Sequence, residues 1–261
     1  MMVVPTLLSA WFVLIFLMTL CWIIQRKTGK AAIVDVMWCF GVLAASLICI
    51  SQAQNGIPMR QGLAGMLISA WSLRLGVHLA RRTLLNSEDG RYQTLKKQWG
   101  KAAQRKMFWF FQFQAFTCVL FAIPLLIASN NSKPLGVFDG VGFMIGAIAI
   151  TGEWVADFQL TRFRAQPKRD AGVCTQGLWY YSRHPNYFFE WLHWWAYVFL
   201  STGSPLAPFS LVGPLAIFYF LFCITGIPPT EAQSLQKRGL AYQTYRETTS
   251  AFFPWPPRYK S

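Results

Sequence analysis

Polar and apolar positions along this chain are segregated into blocks rather than interleaved. Long apolar runs occupy about 3–24, 31–51, 61–79, 107–128, 141–156 and 209–227, with short polar stretches between them. A helix needs roughly 20 apolar residues in a row to cross a bilayer core, so the pattern predicts a transmembrane helix at each run. A seventh run, 187–200, is shorter and very aromatic, with Trp191, Trp194, Trp195 and Tyr197. It is expected to span only with tilt or with flanking residues at the interface. The first run has no basic region before it and no small-residue cleavage site after it, which reads as a retained helix rather than a signal peptide.

Composition sharpens this picture. Of 261 residues, 54% are apolar and only 13% charged, against roughly 25% charged in a soluble domain. A collagen, a disordered tail and a disulfide-stapled secreted module are excluded. The net charge of +14 would suggest nucleic acid in a soluble protein, but its placement says otherwise. The connections after the odd-numbered helices and the C-terminal tail carry 21 Lys/Arg, the connections after the even-numbered helices carry 2, and Arg74 lies inside a span. By the positive-inside rule this sets a topology. The expected fold is an all-α polytopic membrane helical bundle of about seven transmembrane helices, one domain over 1–261, with the N-terminus outside and the C-terminus cytoplasmic. Nucleic acid is not an expected partner; the bilayer is. There are no fixed-period repeats, and the six cysteines include no C-x-x-C pair, so no metal site is indicated.

Ionisable groups at membrane depth are costly and face protein or water. Asp35 enters the second run within Val34-Asp35-Val36-Met37-Trp38. It reads either as an interfacial acid paired with Lys30 or an arginine, or as a carboxyl group at the mouth of a substrate cavity. Arg74 and His78 lie four apart on one helical face, continued by Arg81 and Arg82, and suit the lining of an anion or cofactor site. The stretch 87–92 reads as a solvated turn before an amphipathic helix. Glu153, Asp157 and Arg164 align on one face at the end of the fifth run, either as an ion pair or as an acid for ribose hydroxyls and a guanidinium for phosphate.

The densest constellation is 177–190. Within it, Arg183-His184-Pro185 precedes a short helix on which Asn186 and Glu190 share a face with Tyr187 beside them. Proline is tolerated in a first helical turn, and a helix N-terminus preceded by Arg and His suits an anion. The tail, with Glu231, Tyr242, Tyr245, Arg246 and an aromatic, proline-rich end, reads as an amphipathic helix with a cap or as a cover over a nucleotide.

The stretch 177–190 resembles the signature of the steroid 5-alpha-reductases, the sterol carbon-14 reductases and the isoprenylcysteine carboxyl methyltransferases. More closely, the chain resembles the mostly bacterial DUF1295 family of that superfamily. The motifs are Val34–Trp38, Trp71–Arg82, Glu88-Asp89-Gly90-Arg91-Tyr92, Ser182-Arg183-His184-Pro185-Asn186-Tyr187 and Thr249–Pro256. The resemblance implies a seven-helix bundle whose later helices, about 150–261, bind NADPH facing the cytoplasm without a Rossmann domain. It places Asp157, Arg164, Asn186, Glu190, Tyr242 and Arg246 on that cofactor, with Arg74 a looser match and Arg183-His184 closer to the sterol-reductase and methyltransferase versions. The steroid enzymes polarise an enone oxygen with a Glu and a Tyr in their early helices. That pair has no clear counterpart here, and Asp35, His78 and Tyr187 are the candidate catalytic groups.

The expected activity is therefore that of an NADPH-dependent reductase acting on a polarised C=C of a hydrophobic, steroid-like or isoprenoid lipid. The alternative is an S-adenosylmethionine-dependent methyltransferase of a lipid or prenyl-cysteine, using Arg183-His184-Pro185 and Glu231. A third reading is a non-catalytic membrane protein. The expected location is a bacterial inner membrane, or the endoplasmic reticulum in a eukaryote; the oligomeric state is not set by the sequence.

Overall fold

The computed structural model describes residues 3–85, 88–166 and 172–258; Ser87, part of the acidic turn read from the sequence, lies outside them. Among these residues eleven α-helices follow in order: α1 (Val3–Thr28), α2 (Ile33–Ser51), α3 (Pro58–Leu85), α4 (Gly90–Trp99), α5 (Ala103–Ser129), α6 (Val137–Arg164), α7 (Leu178–Tyr181), α8 (Pro185–Leu200), α9 (Val212–Tyr219), α10 (Ile227–Arg238) and α11 (Leu240–Thr248). No strand occurs among the described residues. Among the described residues, six helical segments are long and apolar enough to cross a membrane: α1, α2, α3, α4 continuing into α5, α6, and the segment Ala207–Arg238. The seventh run forms α8, 16 residues long. At about 1.5 Å per residue it reaches about 24 Å, short of a core of about 30 Å.

The chain divides into two compact units, Met1–Gly140 with Tyr197–Gly213, and Val141–Ala196 with Pro214–Ser261. In the first, α2 packs against α1, α3 and α5. Trp38 is its anchor. The ring meets Trp71 and Phe121 edge-on, at 5.9 and 5.4 Å, and the indole N–H donates to Thr117 Oγ1 at 2.9 Å. Helix α3 approaches closely enough that a Cβ on Gly76 would lie 2.8 Å from the Phe40 ring, the small-residue contact that lets membrane helices pack.

The most buried charge of this unit is Arg60 in the first turn of α3, 2% exposed. Its Nε and Nη2 reach the two carboxylate oxygens of Asp139, in the first turn of α6, at 2.6 and 3.0 Å. Nη1 donates to the carbonyls of Asn131 and Lys133 at 2.6 and 3.0 Å. A guanidinium supplies donors in a planar fork, and here both of its edges are met.

In the second unit, α7 lies on α6. The Trp179 indole donates to Ala156 O at 2.9 Å and the Leu178 N–H to Gln159 Oε1 at 2.9 Å. Gly152 is required, because a Cβ there would sit 2.4 Å from the Phe189 ring. The last apolar run is not one regular helix. After α9 the chain makes a π-helical turn over Phe220–Ile224, then α10 begins with prolines in its first turn. Gly226 closes that junction, where a Cβ would meet Leu221 O at 2.5 Å. The C-terminal Phe252, 2% exposed, is ringed by Phe188, Trp191, Phe218 and Phe222 at 5.0–5.8 Å.

Removing one partner of a buried ion pair strands the other. Arg60→Met is expected to lower the stability of the purified chain in detergent by about 3 kcal/mol or more, read as a drop in thermal melting. Arg60→Met with Asp139→Leu should recover much of it. An unchanged melting temperature in the single variant contradicts a structural role for the pair.

Candidate functional site

The first unit gathers its chemistry where α2 begins. The stretch from Glu88 is not the solvated turn expected from its composition. Both oxygens of Glu88 accept from the N-terminus of α2, Ala31 N at 2.7 Å and Ala32 N at 3.1 Å. Helix N-termini present unpaired N–H groups, and a carboxylate satisfies them. Lys96 pairs with Glu88 at 2.5 Å. Asp89 caps α4 by accepting from Arg91 N at 2.9 Å and takes the Arg91 side chain on both oxygens, at 3.1 and 3.2 Å. Burial pushes the Asp89 carboxyl upward, but the Arg91 hydrogen bonds and charge, with Arg82 beside them, outweigh it and hold it below the usual range.

This scaffold delivers two groups to Asp35. Arg91 Nη2 donates to Oδ2 at 3.0 Å, and the Tyr92 hydroxyl donates to Oδ1 at 2.5 Å. Tyr92 is 4% exposed. Asp35 is thus a paired acid, but its partners are Arg91 and Tyr92 rather than Lys30, which instead donates to the carbonyls of Thr83 and Leu84 at the end of α3. Arg74 and His78 stand one turn apart on α3, each half-buried.

In the second unit the centre is Glu231, on the first turns of α10 and 8% exposed. Arg183 Nε reaches its Oε1 at 2.8 Å, His184 Nε2 lies 3.4 Å from the same oxygen, and Arg246 Nε is 3.2 Å from Oε2. Three segments distant in sequence therefore meet on one carboxylate. Arg183 is otherwise spent on the fold: Nη1 donates to Arg246 O and Thr249 O at 2.8 and 2.7 Å. Arg246 is different, with its side chain 43% exposed. Tyr187 stacks on His184 with rings 5.2 Å apart and 4° from parallel, and its hydroxyl lies 3.2 Å from Thr230 Oγ1. Tyr242 is buried beside Glu231 and Ser234; burial, then the Glu231 charge, pushes its phenol up to about 12. The tail is tied over this turn by backbone bonds, Arg183 N to Ser250 O at 2.8 Å and Trp255 N to Tyr181 O at 2.9 Å. The Ser182 hydroxyl donates to Phe252 O at 2.8 Å.

Asn186, in the first turn of α8, donates from Nδ2 to Asp157 Oδ1 on α6 at 3.2 Å. Glu190 is one turn further along α8 and buried, and Arg164 ends α6 two turns beyond Asp157, exposed. So Arg183, His184, Tyr187, Tyr242 and Arg246 converge around Glu231, and Asp157 joins Asn186. Asp35, Arg74 and His78 belong to the other unit. Among the described residues no group of three or more His, Cys, Asp or Glu is arranged to hold a metal.

The family described as "Protein of unknown function (DUF1295)" matches residues 21–249. The chain belongs to the DUF1295 family. No curated protein and no solved structure matches it. The DUF1295 stretch runs through both clusters, from α1 to the tail strapped over Ser182. Sequence reasoning on this DUF1295 chain placed Arg91 and Tyr92 in a family motif but gave neither a role, and it did not give Glu231 its central position. The available signal for the first two was Asp89-Gly90, a helix-start pattern that sets Arg91 and Tyr92 in the first turn of α4.

His184 is 3% exposed. Burial lowers its imidazole pKa, Glu231 pulls the other way, and the net shift is downward. The unfolded chain then takes up a proton near pH 6.5, before the folded one does. Stability from this group is expected to be complete above about pH 6.5 and to fall as pH drops below it. Melting curves from pH 8 to 5 should lose that part of their slope in His184→Gln; identical pH dependence in the variant contradicts the assignment.

Proposed function

We propose that this DUF1295 chain is an integral-membrane reductase that uses NADPH to reduce a polarised C=C of a hydrophobic, steroid-like or isoprenoid lipid. The observation that carries this reading is the Tyr92–Asp35 pair. The reductases that the chain resembles polarise an enone oxygen with an acid and a tyrosine from their early helices, and a buried phenol bonded at 2.5 Å to a carboxylate is such a pair. In this reading the Tyr92 hydroxyl turns its single proton from Asp35 to the substrate oxygen as the enolate develops. Asp35 orients the phenol, and Arg91 fixes Asp35. Low dielectric around a buried donor raises its effect on a charge that forms during reaction.

The donor set of the second unit fits a phosphorylated dinucleotide. A carboxylate bonded to a carboxamide, Asp157 with Asn186, suits ribose hydroxyls. An arginine anchored through Nε with its side chain 43% exposed, Arg246, suits a phosphate. Glu190, Arg164 and Tyr242 complete the set that the resemblance assigns to the cofactor. Arg183 and His184 act there through Glu231 and the tail, which fix the turn leading into α8. NADPH, when bound, supplies the hydride; the chain supplies alignment, a proton and an apolar surrounding.

One observation favours a second reading. Glu231 meets Arg183 and His184, the groups that an S-adenosylmethionine-dependent methyltransferase of this superfamily would use. That reading leaves the Tyr92–Asp35 pair without a task, which is why the reductase is preferred.

Equilibrium binding to the detergent-purified chain separates the two. Saturable NADPH binding is expected, weakened about tenfold or more by Asn186→Ala and by Arg246→Ala, each the loss of hydrogen bonds to a bound group. Saturable S-adenosylmethionine binding with none for NADPH transfers the assignment to a methyltransferase.

A further inference from the structure

Apart from both clusters, the C-terminal end of α1 carries a basic recess that neither of them uses. Ile23, Arg26 and Lys27 line an open cavity of about 300 Å³. Its wall is fixed in place. The Trp22 indole donates to Gln104 O at 3.2 Å and meets Phe108 edge-on at 5.2 Å, which locks the end of α1 to the start of α5. The Arg26 guanidinium lies over the Trp22 ring at 5.0 Å, a cation–π contact that holds the charge at the rim.

Two features identify the ligand. The first is uncompensated charge. The nearby acids Glu88, Asp89 and Asp35 are engaged by Lys96, Arg82 and Arg91, and no carboxylate among the described residues pairs with Arg26 or Lys27. Arg105 and Lys106, at the start of α5, are exposed and add to the excess. The second is what lies directly along the helix. Phe16, Leu20, Ile23 and Ile24 are 62%, 41%, 40% and 46% exposed, an apolar strip leading up to the recess. A ligand that meets both must carry an anionic head and a hydrocarbon tail.

We propose that this recess binds an anionic glycerophospholipid, its phosphate held by Arg26 and Lys27 and one acyl chain lying along the exposed face of α1. The site is independent of the reductase reading. Cations beside a membrane helix are each worth about fivefold in affinity for an anionic lipid surface, and Arg26 is pre-placed by its ring. Phosphatidylglycerol is the probe of choice, because it differs from phosphatidylcholine in net charge while sharing the acyl chains.

Native mass spectrometry of the full chain, released from micelles containing equal phosphatidylglycerol and phosphatidylcholine, is expected to retain phosphatidylglycerol preferentially. Arg26→Gln with Lys27→Gln should weaken that retention roughly 25-fold, with Arg258→Gln as an unaffected basic control. Thermal melting of the wild-type chain supplies a test independent of the variant's folding: phosphatidylglycerol should raise it, and inorganic phosphate at the same concentration should not. Equal retention of the two lipids, undiminished retention in the double variant, or equal stabilisation by inorganic phosphate overturns the proposal.

Discussion

A carboxylate taken out of water must be met by cations or hydrogen-bond donors, and in this chain that requirement organises almost everything else. There are 10 acids against 24 Lys/Arg, so acids are the scarce component, and the best-paired of them recruit more than one basic or donor group. Glu231 gathers Arg183, His184 and Arg246. Asp35 gathers Arg91 and Tyr92, and Asp139 takes the Arg60 fork. In each case the partners come from stretches far apart in sequence. Burial makes such contacts costly to break from one side, so they fix which turns and tails close on which helices.

Helix placement was legible because the apolar blocks are long and the bilayer constraint is strong. The runs at 3–24 and 31–51 correspond closely to α1 and α2. The polar stretches were less legible. Glu88-Asp89-Gly90-Arg91-Tyr92 has the composition of a solvated turn, and nothing local reveals that Glu88 caps a helix 57 residues earlier in the chain or that Tyr92 finds Asp35. The run at 209–227 has the hydropathy of one straight helix. Its interruption by a π-helical turn depends on Gly226 and the following prolines, which act on backbone geometry and leave hydropathy untouched. The short α8 was legible in both respects, by its length and by the proline that opens it.

The candidate site was legible in part for the same reason. Residues close in sequence, such as Arg183, His184, Asn186 and Tyr187, declare a cluster by themselves. Asp157 with Asn186 required a resemblance to other proteins, since the hydrogen bond between them joins two helices. Glu231 was named for only one of two activities, yet it is the carboxylate on which the turn before α8 and the tail both close. Tyr92 stood in a family motif without a role, because a tyrosine after an arginine in a basic connection is unremarkable until its hydroxyl is seen bonded to an acid.

The central claim is that this family member moves a hydride from a nicotinamide to a lipid. The most direct measurement is the transfer of tritium from NADPH, labelled at the nicotinamide C4, into a membrane lipid extract by the purified chain. Label is expected in the lipid fraction, from one of the two C4 hydrogens only. Tyr92→Phe should reduce that transfer by about a hundredfold or more while leaving NADPH binding intact. Label that stays wholly in the nucleotide, while a labelled methyl group passes from S-adenosylmethionine to the same extract, would contradict it.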